Sequence, residues 1–149
     1  MKNIIAALDF EPSSTKVAEE AYKLSKALNG KLSIVHVVAN TSYYAMEYMP
    51  VEGFTNFNLT NSLIISEEIH KHAAEFLDKI KAGFNDENVE VKVLDGEVET
   101  ALGEYAAEWG ADLIVMGVHN KSGIVRLLEG ESSSRMVHSV QLPVLIIPE

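Results

Sequence analysis

Short apolar runs alternate along this chain with segments of helical period, and few architectures accommodate that alternation. Ile4 to Leu8, Leu32 to Val38, Asp112 to Met116 and Val144 to Ile147 are largely apolar, as strands buried on both faces are. Val89 to Leu94 alternates instead, as a strand with one wet face or an edge position does. Between them, Val17, Ala21, Leu24 and Leu28 line one face of a first helix that closes at Asn29-Gly30. Ile65, Ile69, Ala73, Phe76 and Ile80 mark a second, longer helix. Leu102, Tyr105, Ala106 and Trp109 mark a third, capped by Thr100 or Glu99 and ended by Gly110. A further helix is expected from about Gly130 to Val140. Strands separated by helices imply βαβ units, and five of them give a doubly wound α/β domain with a five-stranded parallel sheet and helices on both faces.

Bulk properties narrow the function classes. The 149 residues carry a formal net charge of −10, which disfavours attraction to nucleic acid or an anionic membrane. There is no cysteine, hence no disulfide framework and no thiolate nucleophile or metal ligand. No run approaches the ~20 apolar residues that span a bilayer, and the apolar stretch before Asp9 is too short for a signal-peptide core. A single cytoplasmic domain over residues 1–149 is the expectation.

Ligands of doubly wound sheets sit beyond the carboxyl ends of the strands, where the strand order reverses. Asp9, Val37, Gly117 and Gly130 fall at that edge. Asp9 is placed either to accept from a ribose hydroxyl or an adenine amine, or to cap the turn into the first helix. Gly117 ends a strand, and Gly130 opens a Ser-rich helix (Ser132, Ser133, Ser134). Backbone N–H groups at such a helix start, aided by its dipole, form a phosphate cradle. Phe10 to Ser14 contains no glycine, so the dinucleotide-binding G-x-G-x-x-G is missing, and no Walker sequence exists. Without a Walker lysine or a Mg²⁺-holding carboxylate, bound ATP is expected to be sensed rather than turned over, with slow hydrolysis a minor alternative.

The histidines lack ligand-type spacing. His70 and His72 are two apart on a helix and point in different directions. His36, His119 and His138 read as solvated or singly bonded, and a Ser134–His138 contact without an orienting acid is weak evidence for a nucleophile. The connection from Ala39 to Ser62 is long and aromatic, with Tyr43, Tyr44, Tyr48, Phe54 and Phe57. It either folds over the strand ends or meets a protein partner.

Four stretches together resemble the universal stress protein family across essentially the whole chain. They are the acidic strand end and Ser-containing turn from Asp9 to Ser14, the strand end His36-Val37-Val38, and the corner Asp95-Gly96-Glu97. The fourth is Gly110 to Gly117, supported by the closing run Val137 to Ile147. The resemblance implies strand order 3-2-1-4-5 and a homodimer paired through Val144 to Ile147. It also implies an adenine-nucleotide site, for ATP or a relative, in a regulatory or sensory module of the stress response. Ala7, Leu8, Asp9, Val37 and Met116 would wall base and ribose, while Gly117, Asn120, Gly130, Glu131 and Ser132 would face the phosphates.

The family's ATP-binding pattern G-x2-G-x9-G-[ST] reads here as Gly117-x2-Asn120-x9-Gly130-Glu131, with the spacing kept and two identities changed. Asn120 tolerates the positive φ of such a loop. Glu131 puts a carboxylate where a hydroxyl donor belongs. A like-charge pair at ~4 Å costs ~1 kcal/mol in water and ~4 kcal/mol at an effective dielectric of 20, so affinity falls by several-fold to about a thousandfold. The penalty shrinks if Glu131 points outward, with Ser132 or Ser133 as donor and Lys121, Arg126 or Arg135 as cation, or if Mg²⁺ bridges carboxylate and phosphate. The alternative is a protein-interaction module whose phosphate site Glu131 fills.

Overall fold

The computed structural model describes residues 2–38, 59–117 and 140–148. Its strands are β1 (Asn3–Ala7), β2 (Lys31–Val38), β3 (Glu90–Asp95), β4 (Leu113–Gly117) and β5 (Val144–Ile147). Its described helices are α1 (Ser14–Ala27), α2 (Leu59–Phe84) and α3 (Val98–Trp109). All neighbouring strands run parallel in the order β3-β2-β1-β4-β5. The expected sheet and order are therefore observed.

Side-chain alternation assigns the two faces. Ile4, Ala6 and Leu8 join Ile34, Val115, Val17, Ala21 and Leu77 on the side of α1 and α2. Ile5, Val35 and Ile114 pack with Leu102, Tyr105 and Ala106 of α3 on the other. Ile4, Ile5 and Ala6 are fully buried, as a strand with helices on both sides requires. The alternating run becomes edge strand β3, whose Glu90, Lys92 and Asp95 are more exposed than Val91 and Val93. At the other edge, β5 leaves Leu145 and Ile146 exposed.

The amino-terminal edge of the sheet is tightly bonded. α1 closes as expected: Asn29 takes a positive φ of 51°, and the Gly30 N–H donates to the Ser25 carbonyl at 2.8 Å. A Cβ on Gly30 would lie 2.0 Å from the Lys2 carbonyl oxygen, so the close approach of two backbones requires glycine there. Asp112 precedes β4 rather than opening it. Its Oδ2 accepts from the N–H groups of Lys2 (2.7 Å) and Asn3 (2.9 Å), and its own N–H donates to the Asn3 carbonyl. The side chain that looked like a strand residue thus fastens the start of β1 to the start of β4.

Two boundaries differ from expectation. α3 is not capped by Thr100 or Glu99: the N-cap is Glu97, without a side-chain cap bond. Gly96, at φ 115°, turns the chain sharply out of β3, so the helix begins sooner and Glu99 lies in its first turn, where the dipole favours a carboxylate. The second helix begins at Leu59, so the last four residues of the expected Ala39 to Ser62 connection are helical. Extending an existing helix is far easier than nucleating one, and the strong pattern from Ile65 onward carries its start backwards. Residues 39–58, and with them the proposed partner surface, lie outside the described residues.

Candidate functional site

The strand order reverses between β1 and β4, and their carboxyl ends bring the expected residues together. Ala7 is flanked in register by Val35 of β2 and Met116 of β4. Ala7, Val37 and Met116 share the α3 side of the sheet with Leu94, which gives this edge an apolar floor. Leu8 differs: its side chain is buried in the core beneath α1 and α2, so only its backbone borders the edge.

Asp9 lies beyond the end of β1, and of its two anticipated roles the structure shows the one at the turn into α1. Its Oδ1 accepts from the Glu11 N–H at 3.0 Å and lies 2.7 Å from the buried hydroxyl of Ser14, which also reaches the Asp9 carbonyl at 2.6 Å. Asp9 therefore does shape the turn into α1. The Glu11 and Ser14 bonds to the side chain converge on Oδ1 and orient the carboxylate, and among the described residues no hydrogen bond to Oδ2 is seen.

Gly117 ends β4 beside Ile147 of β5. A Cβ there would come within 2.8 Å of Val17 Cγ2, so the missing side chain lets α1 lie close over the sheet. That packing role was not visible in the sequence. Asn120, Gly130, Glu131 and Ser132, with Ser133, Ser134, His119, His138, Lys121, Arg126 and Arg135, lie outside the described residues. A cation does reach this edge from α1: Lys16 Nζ donates to the Pro148 carbonyl, just past β5, at 2.8 Å.

Two histidines occupy the same edge. His36, near the end of β2, is 8% exposed and has its Nδ1 2.8 Å from the Leu8 carbonyl oxygen. Burial pushes its pKa below the ordinary value, against smaller upward pulls from the Leu8 bond and Asp9. Phe10 packs on the imidazole, with ring centroids 4.2 Å apart, and touches Phe76 of α2 edge-on at 5.2 Å. His70 of α2 places Nδ1 2.6 Å from the Ser66 carbonyl and Nε2 2.5 Å from Asp95, the last residue of β3. The Ser66 carbonyl first, then Asp95, raise its pKa against the opposing effect of burial. His72 lies against Glu68 instead, so the two histidines diverge as their spacing required. Among the described residues no three His, Asp or Glu side chains converge as a metal site would need. No helix among them is long and apolar enough to cross a membrane.

Sequence reasoning missed Ser14 and the bond made by His36. The Asp9-to-Ser14 spacing ahead of a helix was the available signal for the first. The second joins residues 28 apart in the chain and has no local signature.

Known proteins resemble this chain along its length. The model of the universal stress protein family matches residues 1–148. Universal stress protein A homolog 2 of Coxiella burnetii is 29% identical, over 98% of this chain and 94% of that one. A crystal structure from the same family in Burkholderia pseudomallei aligns with a TM-score of 0.71 at 22% identity, over 99% of this chain and 96% of that one. A universal stress protein in complex with cAMP gives 0.59 at 24% identity, covering 98% and 95%. One from Archaeoglobus fulgidus in complex with dAMP gives 0.55 at 17% identity, covering 99% and 98%. At these identities the structural likeness establishes the fold.

Proposed function

The chain belongs to the universal stress protein family, and from that premise we propose that it is an adenine-nucleotide-binding regulatory module without catalytic turnover of its own. The observation that carries this reading is the oriented carboxylate of Asp9 beside the apolar floor of Ala7, Val37 and Met116, at the strand-order reversal. Such a floor suits a purine ring, and Asp9 Oδ2 suits a ribose hydroxyl or an exocyclic amine. The cAMP and dAMP complexes of two structural neighbours make adenine nucleotides the ligand class to test first. Gly117, Asn120, Gly130, Glu131 and Ser132 are proposed to face the phosphates.

The working unit is proposed to be a homodimer formed through β5. Leu145 and Ile146 are 40% and 38% exposed on a strand edge left unpaired among the described residues, which a second copy would cover.

One sequence feature favours a second reading. Glu131 places a carboxylate where the nucleotide-binding branch has a small hydroxyl. A protein-interaction module with a self-filled phosphate site would follow. Calorimetric titration with ATP and AMP, with and without Mg²⁺, separates the two. Micromolar affinity for both ligands supports the nucleotide module. No heat at millimolar ligand, converted to tight binding by Glu131→Ser, supports the blocked site.

A further inference from the structure

We propose that His36 is the positioning residue of the nucleotide site, setting ligand affinity through the Leu8–Asp9 peptide without touching the ligand. The inference rests on the nucleotide reading above and deepens it.

The β1 ladder to its neighbours ends at Ala7. The peptide that follows must nevertheless be held, because it delivers Asp9. β2 holds it with two bonds. The Leu8 N–H donates to the Val35 carbonyl at 2.8 Å, and the Leu8 carbonyl accepts from His36 at 2.8 Å. A carbonyl can only accept, so the His36 proton sits on Nδ1. The Leu8 oxygen belongs to the same peptide plane as the Asp9 nitrogen. Fixing that oxygen fixes the direction in which Asp9 leaves the strand.

The arrangement is guarded. Phe10, 50% exposed, lies against the imidazole and is backed by Phe76 of α2. His36 interrupts an otherwise aliphatic strand end, Ile34-Val35-His36-Val37-Val38. A branched aliphatic residue there would fill the same space and leave the Leu8 carbonyl without this partner. Asp9 is then oriented twice, by its main chain through His36 and by its side chain through Ser14 and Glu11. The difference between histidine and a hydrophobic residue is the direction of one peptide, felt at the ligand.

The test is AMP titration of the full chain and five variants: His36→Asn, His36→Gln, His36→Leu, Asp9→Ala and the double variant Asp9→Ala/His36→Leu. Asn keeps an N–H donor near the position of Nδ1, whereas Gln moves its amide outward and Leu has none. The expected result is affinity within about threefold of wild type for His36→Asn, and a loss of about tenfold or more for His36→Leu and His36→Gln. Because His36 acts through Asp9, the double variant Asp9→Ala/His36→Leu should bind no more weakly than Asp9→Ala. Wild-type affinity retained by folded His36→Leu or His36→Gln, or additive losses in the double variant, would overturn the inference and leave the nucleotide reading standing. A wild-type chain that binds no AMP would overturn both. Gln covers the event that Leu does not fold. An imidazole nitrogen NMR correlation supplies a readout without ligand: a protonated Nδ1 is expected, and a protonated Nε2 with bare Nδ1 would contradict the proposal.

Discussion

Asp112 and Asp9 stand at opposite edges of one sheet, and both receive hydrogen bonds from nearby groups. Asp112, where strands begin, accepts two backbone N–H groups and fastens β1 to β4. Asp9, where strands end, uses Oδ1 on its own turn, where the Glu11 N–H and the Ser14 hydroxyl meet it. The surroundings differ in the same sense. The amino edge is closed backbone to backbone at Gly30 and Lys2, whereas the carboxyl edge gathers Asp9, His36, Phe10, His70 and Asp95. One edge secures the sheet, and the other presents chemistry. A carboxylate at a strand end therefore means little until one knows which end it is.

The contrast can be broken most severely at Gly30. Gly30→Ala would drive a methyl into the Lys2 carbonyl, with a loss on the order of 3 kcal/mol or more in urea unfolding. A loss under about 1 kcal/mol would show that the edge is looser than described. Next comes the carboxyl edge. Asp9→Ala should weaken AMP binding by about tenfold to a hundredfold, the range for losing a hydrogen bond to a charged group, while shifting Tm less than Asp112→Ala does. Asp112→Ala should lower Tm and leave AMP affinity unchanged. Equal effects of the two variants on both readouts would erase the distinction between the edges.

Two pH dependences sharpen it with smaller effects. The N–H groups of Asn3 and Lys2 hold the Asp112 carboxyl below its ordinary value. Its contribution is therefore present above the unfolded pKa and lost as pH falls through the folded one, so Asp112→Asn should flatten the acid limb of Tm against pH. His70 runs the other way. Its folded pKa is raised by the Ser66 carbonyl and then Asp95, so its contribution is full below the unfolded value and lost as pH rises through the folded one. Asp95 is 67% exposed, so the effect should be slight. Asp95→Asn should lower the His70 pKa in an NMR titration, and an unchanged pKa would show that the contact does not persist in solution.

Much of this was legible in the sequence, unevenly. Apolar runs and helical periods gave the described elements, the expected helix from about Gly130 to Val140 lying outside the described residues, and the alternation of Val89 to Leu94 foretold an edge strand, because these are local properties of the chain. Strand order is not local, and it came from the family resemblance. Asp9 was legible because an acid at the end of a buried strand has few explanations, and the turn role offered for it is the one its bonds show. Gly117 was read as part of a phosphate loop. The role the structure shows, against Val17, depends on a residue 100 positions away, which no spacing pattern carries. The start of α3 was misjudged because Gly96, rather than a capping side chain, sets where the helix begins.

The most direct test of the central claim, a nucleotide site at the carboxyl edge, is amide chemical-shift mapping of the isotope-labelled chain titrated with AMP. The expected result is saturable perturbation of Ala7 to Phe10, Val37, Met116 and Gly117, with Lys2, Gly30 and Asp112 unmoved. Perturbation centred on the amino edge, or none at millimolar AMP, would contradict it.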